Sequence, residues 1–168
     1  MSQDPALRPT SDRVREALFN ILGQDFSGLL VLDLYAGTGA LGFEALSRGA
    51  RKAVFVEANP RTATILRAAA EELGVGAESR VIVSRVDDIL DRERLGGPYD
   101  VVFADPPYDA DVEGGLVSRI AAAELVARLG TLVVEREGKA AAAIIDGPLE
   151  LVRTARYGRT ALDFFKYR

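Results

Sequence analysis

Three features of the sequence predict a single α/β domain built on a mostly parallel, doubly wound sheet. Short apolar runs alternate with helical patterns along most of the chain, a glycine-rich loop follows the first run, and the last two strand-like segments meet without a helix between them. The 168 residues, 48% of them hydrophobic, suffice for one continuous core. Residues 1–168 therefore read as one domain, with 1–28 forming an N-terminal segment and helix and 29–168 the α/β core.

A helical pattern opens the chain. Val14, Ala17, Leu18, Ile21 and Leu22 recur at the spacing of one apolar helix face, with Arg13 and Glu16 opposite and Arg15 to one side. Pro9-Thr10-Ser11 supplies a stop and an N-cap, Asp12 suits the first turn, and Gly23 ends the helix. Leu29–Leu34, Ala53–Val56, Val81–Val83, Val101–Ala104 and Thr131–Val134 each read as a short buried strand. Between them, Ala40–Ser47, Arg61–Leu73, Asp87–Leu95 and Glu113–Arg128 carry helix signals. Leu149–Tyr157 and Thr160–Tyr167 join at Gly158-Arg159, which reads as a terminal antiparallel hairpin. A mostly parallel sheet finished by such a hairpin resembles the sheet of class I methyltransferases.

Composition narrows the chemistry. No run approaches the roughly 20 apolar residues of a membrane span, and Met1-Ser-Gln-Asp-Pro5 has neither the basic end nor the apolar run of a secretory signal. The chain has no cysteine, so it forms no disulfide and suits a reducing compartment; a cytoplasmic monomer is expected. It also has no histidine. Asp, Glu, Lys, Tyr and backbone groups must then carry any proton chemistry, and no metal site is expected. The net charge of −4 is unevenly spread: residues 153–168 carry five basic side chains against one acidic. That basic end suits docked phosphates or, equally, a solvated edge strand.

The first strand runs into Asp33-Leu-Tyr35-Ala-Gly37-Thr-Gly39-Ala-Leu-Gly42, followed by a helix. Glycines let the backbone turn sharply and let a ligand approach the amides at the helix start. The spacing also satisfies the dinucleotide fingerprint, and Glu57 ends the second strand where a ribose-binding acid is expected. Asp33 separates the two readings. An acid just before the loop would repel a pyrophosphate, whereas S-adenosylmethionine presents an ammonium and a sulfonium there. Asp87-Asp88 follow the third strand, and one of them is expected to accept from the adenine amine while the other N-caps the next helix; Asp87, nearer the strand end, is the candidate ligand.

Asp105-Pro106-Pro107-Tyr108 follows the fourth strand. Two prolines force an extended, rigid turn and remove two amide donors, so nearby carbonyls can face the cleft. Asp105 adds a carboxylate acceptor, and Tyr108 adds an aromatic plate. Acceptors facing a stacking surface suit a base whose exocyclic amine must be held and oriented. Hydrogen bonds from that amine to Asp105 and the Pro106 carbonyl would localise its lone pair and aim it at a sulfonium methyl, with no strong base required.

Asp105-Pro-Pro-Tyr108 resembles the [DN]-P-P-[YF] motif of amino-group methyltransferases. Together with Arg8-Pro-Thr-Ser-Asp-Arg-Val-Arg-Glu-Ala-Leu-Phe-Asn20 and Ala45-Leu-Ser-Arg-Gly-Ala50, it resembles the bacterial 16S rRNA guanine-N2 methyltransferase D family. The resemblance implies S-adenosylmethionine as cofactor, held by Asp33, Tyr35, Gly37, Gly39, Glu57 and Asp87. It implies Asp105, Pro106 and Tyr108 as the catalytic set and Arg8, Thr10, Arg13 and Arg15 as the RNA-facing set. The implied substrate is guanine 966 of 16S rRNA, within a 30S subunit or an assembly intermediate. Members usually begin with a glycine-rich basic hairpin that the seven residues before Arg8 do not match. An adenine-N6 methyltransferase, a nicotinamide-dependent oxidoreductase and a non-enzymatic RNA-binding module are the competing functions.

Overall fold

Residues 12–107, 113–139 and 145–168 are described by a computed structural model. The chain runs α1 (Asp12–Leu22), β1 (Leu30–Leu34), α2 (Ala40–Ser47), β2 (Lys52–Glu57), α3 (Pro60–Glu72), β3 (Ser79–Val83), α4 (Val86–Ile89), α5 (Arg92–Leu95), β4 (Tyr99–Ala104), α6 (Glu113–Ala122), β5 (Val126–Glu137), β6 (Leu149–Tyr157) and β7 (Thr160–Tyr167). All seven strands form one sheet in the order β3-β2-β1-β4-β5-β7-β6. Strands β1 to β5 pair in parallel, and β7 lies antiparallel to both β5 and β6. The expected parallel sheet and closing hairpin are both present, with the second arm of the hairpin inserted beside β5.

Alternating side chains divide the core between the two faces of the sheet. Val31, Phe55, Val101 and Phe103 pack with α1 and α2, while Leu32, Val54, Val102 and Leu132 pack with α4 and α6. In α1 the buried set is Val14, Leu18 and Phe19. Phe19 is absent from the face expected from sequence, yet it is fully buried between Phe26 and Phe103, with ring centroids 5.1 and 5.8 Å away. The buried face is therefore rotated towards Phe19, whose ring packs against those two.

Four further expectations are corrected. The single helix Asp87–Leu95 is two short ones, because Leu90 leaves helical geometry and the Asp91 side chain caps α5 through the Glu93 amide at 2.8 Å. Neither Asp87 nor Asp88 is an N-cap; Arg85 holds that position in α4 without a side-chain bond. The helix expected to reach Arg128 stops at Ala122, and β5 extends from Val126 to Glu137 rather than covering Thr131–Val134 alone. Glu124 takes a left-handed φ of 51°, and the Glu124 and Leu125 amides donate back to Ala121 and Ile120. This is a Schellman stop without its usual glycine, so nothing in the residue types announces it.

The described helices include none long and apolar enough to cross a membrane. On β6, the sheet edge, Arg153 and Arg156 are exposed, and a bulge between Leu151 and Arg153 interrupts the pairing. Such a bulge blunts an edge against further strand addition.

A buried ion pair ties β5 to β7. Arg136 Nε donates to Asp163 Oδ2 at 2.5 Å, and the Thr154 hydroxyl of β6 donates to Oδ1 at 2.6 Å. Both charged side chains are almost fully enclosed. Asp163→Ala strips Arg136 of this carboxylate in a buried setting, so it should destabilise the fold by about 3–5 kcal/mol. Urea unfolding of the variant measures this, and a loss under about 1 kcal/mol, as for an exposed pair, would contradict the structural role.

Candidate active site

Parallel register brings three strand ends to one edge. Leu34 stands opposite Val56 in β2 and Ala104 in β4, and Ala104 stands opposite Val134 in β5. The glycine loop, the turn holding Glu57 and the Asp105-Pro-Pro turn therefore open at the same end of the sheet, where ligands of open α/β sheets bind.

The glycine loop is held from both sides. Tyr35 adopts φ 59°, a strained value for a bulky residue, and Gly37 and Gly39 adopt 56° and 77°. The Ala36 amide donates to the Val56 carbonyl at 2.9 Å, and the Gly37 amide donates to Glu57 Oε2 at 2.8 Å. Glu57 Oε1 accepts from the Asn59 amide at 2.8 Å, so both carboxylate oxygens are oriented by backbone. Gly39 is the N-cap of α2 and offers no side chain to cap it, while the Gly42 amide in the first turn is taken by the Asp33 side chain. Gly42 serves packing instead: a Cβ there would stand 2.2 Å from the Phe55 ring.

Asp33 lies beneath this loop with 3% of its surface exposed. Its Oδ2 accepts from the Gly42 amide at 3.1 Å, and Oδ1 has no hydrogen-bond partner among the described residues. Burial pushes its carboxyl up to about 8; the Gly42 bond opposes the shift, and the charges of Asp105 and Glu57 add to it. Burial likewise raises Asp105 to about 6. Asp105 is half-buried at the end of β4, Pro106 is buried and Pro107 exposed.

Asp87 occupies the first turn of α4, and its Oδ1 accepts from Arg119 Nη1 of α6 at 2.6 Å. That guanidinium holds its carboxyl below the ordinary range. The half-buried Tyr35 hydroxyl is pushed up, first by burial and then by the charge of Asp87.

Most of the candidate residues expected from sequence thus gather at one edge: Asp33, Tyr35, Gly37, Gly39, Glu57, Asp87, Asp105 and Pro106. Tyr108, Arg8 and Thr10 lie outside the described residues. Arg13 is exposed on α1, while Arg15 is engaged with Asp12 at 2.9 Å and Glu44 at 3.9 Å, which joins α1 to α2. Sequence reasoning missed Arg119 and Asn59. An Asn-Pro pair after a strand signals the α3 cap that Asn59 forms, but nothing local links Arg119 to Asp87, 32 positions away.

The fold and sequence have clear relatives. Residues 1–166 match the family described as conserved hypothetical protein 95. The YlbH protein of Bacillus subtilis is 31% identical over 163 residues, covering 96% of this chain and 88% of that protein. Ribosomal RNA small subunit methyltransferase D of Escherichia coli is 42% identical over 104 residues, which cover 62% of this chain and 51% of that protein. The matched segment is thus about half that relative's length. A solved structure of a conserved hypothetical protein from Streptococcus pyogenes superposes with a TM-score of 0.84 at 28% identity, covering 92% of this chain and 96% of that one.

The raised pKa of Asp33 makes the stability of the ligand-free protein depend on pH. The unfolded chain releases this proton near 3.8 and the folded chain near 8, so the folded state binds more protons between those values. Stability contributed by the protonated form is present at the acid end and lost as pH rises through about 8. Asp33→Asn should therefore flatten the fall in Tm between about pH 5 and about pH 8. Parallel Tm profiles for the parent and variant would remove Asp33 as the source.

Proposed function

This chain belongs to the conserved hypothetical protein 95 family, that of the small-subunit ribosomal RNA methyltransferase D proteins, and on that premise we propose that it transfers a methyl group from S-adenosylmethionine to the exocyclic N2 amine of a guanine in 16S rRNA. One observation carries the reading: Asp105 and its two prolines open onto the same sheet edge as the glycine loop and Glu57.

The residues fit the cofactor. A buried acid suits a cationic neighbour, the start of α2, which Gly39 leaves without a side-chain cap, suits a carboxylate, and the oriented Glu57 suits ribose hydroxyls. Asp33, Tyr35, Gly37, Gly39, Glu57 and Asp87 are the proposed holding set. When bound, the cofactor supplies an electrophilic methyl group.

The chain's own residues do the rest. Asp105, raised only to about 6, is mainly ionised at neutral pH and accepts a hydrogen bond from the guanine amine. The Pro106 carbonyl is the proposed second acceptor, and Tyr108 the stacking surface. Two acceptors orient the amine lone pair. Arg8, Thr10, Arg13 and Arg15 are the proposed RNA-facing set, with Arg13 the exposed cation of the described part. The substrate is proposed to be 16S rRNA in a 30S subunit or assembly intermediate, met in the cytoplasm by a monomer.

Asp105→Ala should stay folded and keep cofactor affinity while methyl transfer falls about thirty- to a thousand-fold, the effect of losing roughly 2–4 kcal/mol of transition-state stabilisation. In the parent, single-turnover transfer should also decline as pH drops through about 6, where Asp105 is protonated. Labelled methyl transfer to 30S particles, followed by nucleoside analysis, measures the rate and the product together. Transfer by a folded Asp105→Ala protein at the parent rate would sink the catalytic role, and a product other than N2-methylguanine would sink the substrate.

A further inference from the structure

We infer that Arg119 is a positioning residue that makes the cofactor pocket select a 6-aminopurine, by holding Asp87 as a fixed, acceptor-only carboxylate. This rests on the reading of Asp87 as the adenine-facing acid.

The contact is two-pronged. Arg119 Nη1 donates to Asp87 Oδ1 at 2.6 Å, and Nη2 donates to the Asp87 backbone carbonyl at 2.8 Å. One planar guanidinium thereby fixes both the side chain and the peptide of a single residue. Asp87 needs such fixing. Its helix α4 has four residues, its N-cap Arg85 makes no side-chain bond, and the chain leaves helical geometry at Leu90. A single turn of this kind does not hold its own shape. Val86 and Ile89 anchor it by packing in the same core as Leu116, Val117 and Ile120 of α6, which leaves Asp87 on the outward side facing Arg119.

The remaining oxygen is the functional one. Asp87 Oδ2 is ion-paired at 3.6 Å with Arg85 Nη2, a long contact to a largely exposed side chain. A ligand donor that displaces this loose partner gains Oδ2 as its acceptor. The paired guanidinium holds the carboxyl below its ordinary range and so favours the ionised form, and an ionised carboxylate can accept but not donate. An amino group at the purine 6-position satisfies it. An oxo group there would set lone pair against lone pair. Tyr35 belongs to the same cluster, because its hydroxyl feels the charges of both Asp87 and Arg119. The cluster therefore reaches from the glycine loop to α6.

The test is calorimetric titration of the full chain with S-adenosylhomocysteine and S-inosylhomocysteine, which differ only at the purine 6-position. The parent should prefer the adenosyl ligand by more than about ten-fold, as expected where a charged acceptor loses its donor. Arg119→Met keeps the apolar stem and removes the fork. It should weaken the adenosyl ligand roughly two- to five-fold, the range a partly exposed ion pair supports, leave the inosyl ligand unchanged or tighter, and so shrink the preference. Arg119→Lys should recover part of it. An Arg119→Met protein with a lower Tm and the parent's preference would reduce Arg119 to a brace and overturn the inference. A parent that binds neither ligand would fell the cofactor reading itself, and the inference with it.

Discussion

Because β1 is hydrogen-bonded in parallel to both β2 and β4, with Leu34 level with Val56 and Ala104, the three connections that follow β1, β2 and β4 must leave the sheet at the same height. The side chains just before those exits, Asp33, Glu57 and Asp105, have no choice but to converge. A one-residue slip of β4 against β1 would send Asp105 to the opposite face of the sheet, away from Asp33. The apolar alternation that buries Val101 and Phe103 on one face and Val102 and Ala104 on the other is what forbids the slip. Core packing and site geometry are therefore one constraint.

The glycine loop depends on the same frame. Its backbone bends through three left-handed residues, one of them Tyr35, and two bonds from β2 hold the bend: Val56 takes the Ala36 amide and Glu57 takes that of Gly37. Glu57 is thus built in before any ligand arrives, since its two oxygens are already aimed by Gly37 and Asn59. Gly42 closes the arrangement from below. Without a side chain it lets α2 settle onto Phe55, and only at that distance can its amide reach Asp33.

Much of this was legible in the sequence, for physical reasons that can be located. Buried parallel strands are short apolar runs, and a strand-to-loop-to-helix turn needs glycines, so β1, α2 and the hairpin β6–β7 fall where periodicity and turn residues put them. Asp105-Pro106-Pro107 was legible because proline restricts the backbone wherever it occurs. What escaped was tertiary. The Schellman stop at Glu124 uses a residue type that carries no stop signal, and β5, with 12 residues, starts directly after it at Val126. Phe19 is placed by Phe26 and Phe103, which sequence periodicity does not see. One of Asp87 and Asp88 was expected to cap a helix because acids often do; the cap role went to Asp91, and Asp87, the candidate ligand, is paired with an arginine from another helix.

Electrostatics gives these observations a direction. Asp33, Glu57, Asp87 and Asp105 crowd one edge, and the two most buried of them hold their protons more tightly than free carboxyls do. A negative cleft repels phosphates, so the sheet edge by itself cannot attract RNA; attraction has to come from cations set around it, such as exposed Arg13 on α1 and Arg153, Arg156 and Arg159 on the terminal hairpin. What the cleft does favour is positive charge. A buried carboxyl that keeps its proton to about pH 8 in the empty site is costly to ionise alone, and a cation brought beside it lowers that cost. Binding of a cation and release of the proton from Asp33 are then linked, so affinity for a positively charged ligand rises with pH across the range in which the empty site is still protonated. The acid under the glycine loop thereby ties ligand charge, proton and fold stability to one buried side chain.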